Sequence, residues 1–485
     1  MLFNSREFLL FLPVVLVALF VLPHRFRWML LLSASFGFYM AWQPQYGLLL
    51  LYISVVTFSA GLLVARAGSG RGKRYLVAAA IIATLSPLLL FKYFDFLGGS
   101  LNHAVGGAVV PALDLVLPVG ISFFTFQGLG YVLDVARKNQ PVERHFGHYT
   151  LYVSYFPQLV AGPIERAHNL LPQLKAKHGF EAERVWSGLR LMLWGFVKKA
   201  GIADNLSGPV NAIYADPSAH TGLALIIATV FFGFQIYCDF SGYTDIARGI
   251  ARMMGIELMR NFDRPYGAAS IVEFWRRWHI SLTTWFRDYV YIPLGGNRVA
   301  LPIHVGNIMI VFLLSGLWHG ANWTFVVWGA LHGGALIAVV LFGRLRKNVA
   351  AVGALRLPGA IAGPLAVAAT FAFVSFCWIF FRAQSIDDAF YVAGNLTTGL
   401  GGQLFDGAYW SQMIATMRLD ATEFVIASAL VVGVFILHQR KIAADVIDRL
   451  AGWRPPIRWA VYYALVFLIL FAGQIDEQEF IYFQF

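Results

Sequence analysis

Apolar residues in this chain fall into long runs separated by short polar or Gly/Pro-marked gaps. The runs read as membrane helices: Phe8–Leu22, Trp28–Ala41, Gly47–Val64, Tyr75–Leu97, Leu115–Val135, Val185–Ala203, Leu223–Phe240, His304–Leu317, Trp323–Phe342, Pro364–Phe381, Glu423–Leu437 and Trp459–Gly473. Several are shorter than the roughly 20 residues that a perpendicular helix needs to cross the hydrocarbon. Such segments suit helices that are tilted or half-buried against other protein, and Tyr149–Gly162 and Ile271–Tyr291 are predicted to be re-entrant pieces. The first run ends in Pro23-His24-Arg25 rather than at a small-residue cleavage site, so it reads as a retained span. No repeat and no separate soluble domain is evident. The expected fold is all-α and polytopic, about 11–13 membrane helices plus re-entrant segments, in a single domain over 1–485.

Composition agrees with that pattern. Of 485 residues, 58% are hydrophobic and 13% charged, against about 25% charged in soluble domains. The net charge of +11 is assigned to Lys and Arg in cytoplasmic loops and not to a nucleic-acid partner. Basic residues follow alternate spans, from Arg25 and Arg27 through Arg344 and Arg346 to Arg454 and Arg458, whereas Gly98–Asp114 and Asp204–Gly222 have no Lys or Arg. This places the basic loops inside and both termini outside. Lys198 and Lys199 fit less well and are assigned to a headgroup region or a groove. Cys238 and Cys377 lie in apolar segments without CxxC spacing, so neither a disulfide framework nor a zinc site is expected. HExxH and P-loop patterns are absent, and no bound cofactor or metal is expected.

One stretch concentrates polar chemistry at membrane depth. Phe274–Asn297 (FWRRWHISLTTWFRDYVYIPLGGN) packs Arg276, Arg277, His279, Arg287 and Asp288 among tryptophans and tyrosines, and Leu314–Trp323 (LSGLWHGANW) sets His319 in an apolar, Gly-punctuated run. Ionisable groups there cost about 2.5–3.5 kcal/mol each on insertion scales, so a cluster of them marks a pathway or a reacting centre. Taken singly, each arginine also fits an interfacial anchor and each histidine a hydrogen-bonded core residue.

The Trp318-His319-Gly320 core, with Asn322 and Trp323 behind it, resembles the histidine motif of the membrane-bound O-acyltransferases. The preceding Phe274–Gly296 stretch is similar to the bacterial polysaccharide branch of that family, the branch of the alginate O-acetyltransferase membrane subunit. The likeness extends to Phe123–Val135, Tyr155–Arg166 and Cys238–Gly249, and so covers about Leu117 to Leu331. It implies an acetyltransferase of the bacterial inner membrane, moving acetyl from cytoplasmic acetyl-CoA for O-acetylation of an exported polysaccharide such as alginate. Periplasmic polysaccharide O-acetyltransferase proteins are the implied partners, with membrane lipids around the chain, and a central tunnel is expected to reach His319.

Acyl transfer from a thioester to a hydroxyl needs a base and a stabiliser of the oxyanion. Histidine suits the first task, since its unperturbed pKa of about 6.5 lies near working pH and burial keeps it neutral. His319 is the expected base. His279 is the second candidate, to orient substrate or donate to the oxyanion. His332 reads as a polar group satisfied within its helix. Asn322, three residues past His319, would share its face on a helix and fix its tautomer, or else cap a helix. Trp318 and Gln158 are assigned to substrate binding. Arg276, Arg277 and Arg287 match the diphosphate or 3′-phosphate of coenzyme A, and equally an interface anchor. In CDFSGYTD, Asp239 is expected to end a span while Asp245 offsets Arg248 and Arg252.

The ending Phe480–Phe485 (FIYFQF) resembles the C-terminal aromatic motif of small partners in D-alanylation systems. By the charge rule it lies outside, and Tyr482 is either an acyl relay or a packing anchor. Other activities fit the same residues: D-alanyl transfer to teichoic acid, peptidoglycan or cellulose acetylation, and, in a different class, transport of an anionic or lipid-linked substrate. The two-half symmetry of many transporters is missing, which favours the enzyme.

Overall fold

The computed structural model describes residues 1–348, 359–440, 449–473 and 480–481. Among them the regular structure is helical, with no strand. The chain forms two compact units, Met1–Gly195 with Tyr243–Arg260 and Phe196–Gly242 with Asn261–Gln474.

The first unit carries α1 (Arg6–Val21), α2 (His24–Met40), α3 (Tyr46–Arg66), α4 (Arg71–Leu88), α5 (Phe94–Val105), α6 (Ile121–Ala136), α7 (Phe146–Ser154), α8 (Phe156–Leu159), α9 (Ala167–Lys175) and most of α10 (Ala182–Lys198). Helix α3 packs against α4, α6 and α7. The expected span Leu115–Val135 is corrected here. Residues 106–120 are a loop, pinned by Tyr39 Oη donating to Val119 O and Tyr46 Oη to Val116 O, at 3.0 and 2.6 Å. The helix starts only after Gly120, whose φ of +77° favours glycine. Tyr149–Gly162 is broken into the short α7 and α8, as its Gly/Pro content implied.

Glu165, 1% exposed, ties two segments of this unit together. Its Oε1 accepts from Met259 N at 2.6 Å and its Oε2 from Asn169 Nδ2 at 2.7 Å. Burial outweighs these bonds and the nearby Arg248, pushing its pKa up to about 7. A carboxyl raised in the folded state supports folding below its unfolded pKa and loses that contribution as pH rises through 7. Folding stability, and with it the melting temperature, is therefore expected to fall between about pH 4.5 and 7, by up to about 1.4 kcal/mol per pH unit, and to level off above that. Glu165→Gln should flatten that slope; an unchanged slope in a thermal melt would place the titration elsewhere.

The second unit holds α11 (Asp204–Tyr214), the first two-thirds of α12 (Leu223–Met253), α13 (Ile271–Arg277), α14 (Ile280–Phe286), α15 (Leu301–His319), α16 (Trp323–Asn348), α17 (Gly359–Arg382), α18 (Ile386–Asn395), α19 (Leu400–Gln403), α20 (Gly407–Thr416), α21 (Ala421–Gln439) and α22 (Pro455–Phe467). Among the described residues seven helices are long and apolar enough to cross a membrane: α3, Arg71–Val105, α12, α15, Trp323–Arg344, Ile361–Arg382 and α21. The other expected spans are shorter helices, such as α6 and Pro455–Leu470. The protein is thus an all-α polytopic membrane protein, as the apolar runs suggested. Ile271–Tyr291 divides into α13, α14 and a π-helical turn.

Candidate active site

The site lies in the second unit, where a tight hairpin of α15 and α16 presents His319. Gly316 and Gly329 let the two backbones meet: a Cβ at Gly316 would lie 2.2 Å from Phe325 O, and one at Gly329 2.3 Å from Phe312 O. His319 is the last residue of α15, after which Gly320 turns extended at φ −158°. Asn322 Oδ1 then accepts from Thr324 N at 3.0 Å and starts α16, while its Nδ2 donates to Gln384 O at 3.3 Å. Asn322 is therefore a helix cap. It does not share a helical face with His319, because Gly320 ends α15 between them.

His279 sits at the break between α13 and α14 with φ +42°. A left-handed non-glycine residue costs on the order of 1 kcal/mol and persists only where its surroundings enforce it. Asn261 supplies the enforcement. Its carbonyl accepts from Ile280 N at 2.9 Å, and its Oδ1 takes Ser281 N at 3.3 Å and Ser281 Oγ at 2.6 Å. The backbone bend thereby aims the imidazole back into the core, where it is fully buried.

The rings of His279 and His319 lie 6.1 Å apart between centroids, too far to hydrogen-bond each other. Around them stand Phe240, 4.7 Å from His279, Trp318, 5.6 Å from His279, and Trp328 and Phe381, 5.1 and 5.2 Å from His319. His319 is 3% exposed. Aromatic rings pack closely around the imidazole. His332 is half satisfied, its Nδ1 accepting from Trp275 Nε1 at 3.3 Å.

The aromatic wall carries a polar feature that the sequence did not signal. Trp278 Nε1, Trp328 Nε1 and Trp378 Nε1 are buried with no acceptor among the described residues. Trp378 lies 4.9 Å from Trp278 and 6.1 Å from Trp328, so the three indoles form one group beside the histidines. Buried indole N–H groups usually find an acceptor, so three without one in a single cluster are unusual.

Asp239, the residue before Phe240 in α12, belongs to a buried ion cluster. Lys199 Nζ is 2.8 Å from Asp204 Oδ1 and 2.7 Å from Asp239 Oδ1, with side chains 8% and 4% exposed. Lys199 opens a π-helical turn, Lys199–Ala203, a bulge often found at functional sites. The cluster corrects two expectations. Lys199 is a core cation, neither at a headgroup nor in a groove, and Asp239 ends no span but lies inside the 31-residue α12. Asp245 does pair with Arg248, at 3.2 Å, while Arg252 pairs with Glu257.

The remaining assigned residues separate. Arg277 is tied to Glu273 at 2.5 Å and to Arg264 O at 3.4 Å. Arg276 and Arg287 line a trough whose lining does not include His319. Gln158 belongs to the first unit, where its Nε2 donates to Tyr152 O at 3.2 Å. Tyr482 lies outside the described residues.

Comparison with known proteins fits this arrangement. The model of the membrane-bound O-acyltransferase family matches residues 136–381, a range that contains both histidines, Asn261, the indoles and the ion cluster. A protein of Azotobacter vinelandii named "Probable alginate O-acetylase AlgI" is 38% identical over 395 residues, covering 80% of this chain and 76% of the relative. A peptidoglycan O-acetyltransferase of Helicobacter pylori is 34% identical over 434 residues, 83% of this chain and 80% of the relative. A teichoic acid D-alanyltransferase of Bacillus subtilis is 29% identical over 290 residues, 56% and 70% of the two chains. With a buried histidine pair on an all-α membrane scaffold and relatives of this extent, the chain belongs to the membrane-bound O-acyltransferase family and is an O-acyltransferase.

Proposed function

We propose that this chain takes acetyl from cytoplasmic acetyl-CoA and passes it across the bacterial inner membrane for O-acetylation of an exported polysaccharide such as alginate, with both termini and the partner acetyltransferases on the periplasmic side. The observation that carries the reading is the enclosed pair His319 and His279, 6.1 Å apart within an aromatic wall. The similarity to alginate O-acetylases supports the polymer, and the alternation of basic loops supports the direction.

In this reading neutral His319 removes the proton of the acceptor hydroxyl as its oxygen bonds to the thioester carbonyl carbon. The carbonyl electrons move onto oxygen, and collapse of that intermediate breaks the C–S bond, the leaving thiolate taking the proton back from His319. His279 and the orphaned indole N–H groups face the developing oxyanion and the acceptor oxygens. The rigid wall excludes water, which protects the thioester from hydrolysis. Phe240 packs edge-on against the His279 ring, 4.7 Å between centroids, and helps keep it in place.

The test is acetyl transfer by the full chain in proteoliposomes, with radiolabelled acetyl-CoA outside and alginate oligosaccharide plus periplasmic partner proteins inside. CoA release without movement of label into the lumen would reject the transmembrane direction, and no CoA release would reject the donor. Trp328→Phe keeps the ring packing and removes one N–H donor. It is expected to lower kcat on the order of ten- to a hundred-fold with the melting temperature unchanged; an unaltered kcat would leave Trp328 as packing alone.

A further inference from the structure

The second unit has a trough of about 310 Å³ apart from the histidine pair. Its walls are Val311, Phe312 and Ser315 of α15, Leu336, Val339 and Val340 of α16, and Val272, Trp275 and Phe286 of the broken segment, with Arg276 and Arg287 also in its lining. Apolar surface joined to guanidinium groups is the chemistry of an amphiphile with an anionic head. Arg276 is exposed and has no carboxylate partner among the described residues, and Arg287 bonds Asp288 through Nε alone.

We propose that this trough is a binding site for one anionic glycerophospholipid of the cytoplasmic leaflet. Three observations select a lipid. The walls belong to membrane-crossing helices whose outward side chains, Ile303, Ile310 and Val339, are 54%, 43% and 44% exposed and apolar, so the trough borders hydrocarbon. Arg344, near the end of α16, stands about 7.5 Å along the helix from Val339 and about 12 Å from Leu336 at 1.5 Å rise per residue. A phosphate at the level of Arg344 thus puts an acyl chain at the depth of those side chains. Basic pockets between membrane helices on the cytoplasmic side are where anionic head groups bind, and the Lys/Arg pattern assigns this end to that side. The phosphate takes the Arg276 guanidinium and the free edge of Arg287. One acyl chain lies along Val311, Phe312, Leu336 and Val339. Tyr291 and His304, whose Oη and Nε2 are hydrogen-bonded at 3.0 Å, also line the trough, and the site needs no contact with His319.

The full chain in detergent is titrated with phosphatidylglycerol, with phosphatidylcholine of the same chains, with glycerol 3-phosphate and with coenzyme A, read by melting temperature and by native mass spectrometry. We expect one retained phosphatidylglycerol, a saturable rise in melting temperature with that lipid, and no comparable effect of phosphatidylcholine or of the head group alone. Arg276→Gln should weaken phosphatidylglycerol binding about tenfold, Arg276→Lys should keep most of it, and Val339→Trp, which fills the trough from its lipid-facing side, should abolish it. Equal response to both lipids, or binding unchanged in Arg276→Gln and Val339→Trp, overturns the proposal. So does displacement of the lipid by coenzyme A, which would make the trough the donor's path. None of these readouts depends on acyl transfer, so they stand or fall separately from the activity.

Discussion

Acyl transfer is expected to fall 10²–10⁴-fold when His319 is replaced by alanine, the range for loss of a general base. The ring sits at the end of α15 and not within it, so the helix keeps its hydrogen bonds. The Gly316–Gly329 approach of the hairpin is untouched by the change. The variant should therefore insert, purify and bind donor like wild type, and kcat should fall with KM little moved. His279→Ala should lose less alone, and the double variant should lose little more than His319→Ala, since both act on one transition state. Additive losses would show that the two histidines serve separate steps. Transfer within a few-fold of wild type in His319→Ala would remove it from the reaction.

Lys199→Met is expected to be the most destabilising single change, by about 3–5 kcal/mol, because it leaves two buried carboxylates without their cation. The effect should be read as a drop in melting temperature together with loss of acyl transfer, since Asp239 precedes the Phe240 that backs His279. Adding Asp204→Asn and Asp239→Asn to Lys199→Met removes the uncompensated charge and should recover much of the lost stability. A cost below about 1 kcal/mol, the range of exposed pairs, would mean that water reaches the cluster.

Much of the fold was legible because lipid permits so few alternatives. A run of apolar residues in a membrane must close its own backbone hydrogen bonds, and a helix does so locally. Helix identity within the apolar runs therefore followed from the runs alone, whereas α9, α11 and α18 to α20 lie in stretches that the apolar pattern assigns to loops. Helix length did not follow from the runs. Leu115–Val135 lost its first turns because Pro118 and Gly120 hold a loop that Tyr39 and Tyr46 tie down from elsewhere in the chain. Leu223–Phe240 instead grew through Asp239 to Met253, because Lys199 offsets a carboxylate that hydropathy placed at a boundary.

The site divides in the same way. The sequence by itself determined an all-α membrane chain, the motif around His319 and the polar concentration between Phe274 and Trp323, since composition and local spacing carry them, and the resemblance of its motifs implied the family. Only the tertiary structure decided that His279 faces His319, because that depends on a left-handed turn enforced by Asn261 from a separate segment. It alone grouped the indoles of Trp278, Trp328 and Trp378, made Asn322 a cap, and split the arginines between a bond to Glu273 and the apolar trough. The physical reason is range: a helix's hydrogen bonds lie within four residues, whereas burial, ion pairing and ring packing join residues far apart in the chain, and their partners are chosen only when the helices pack.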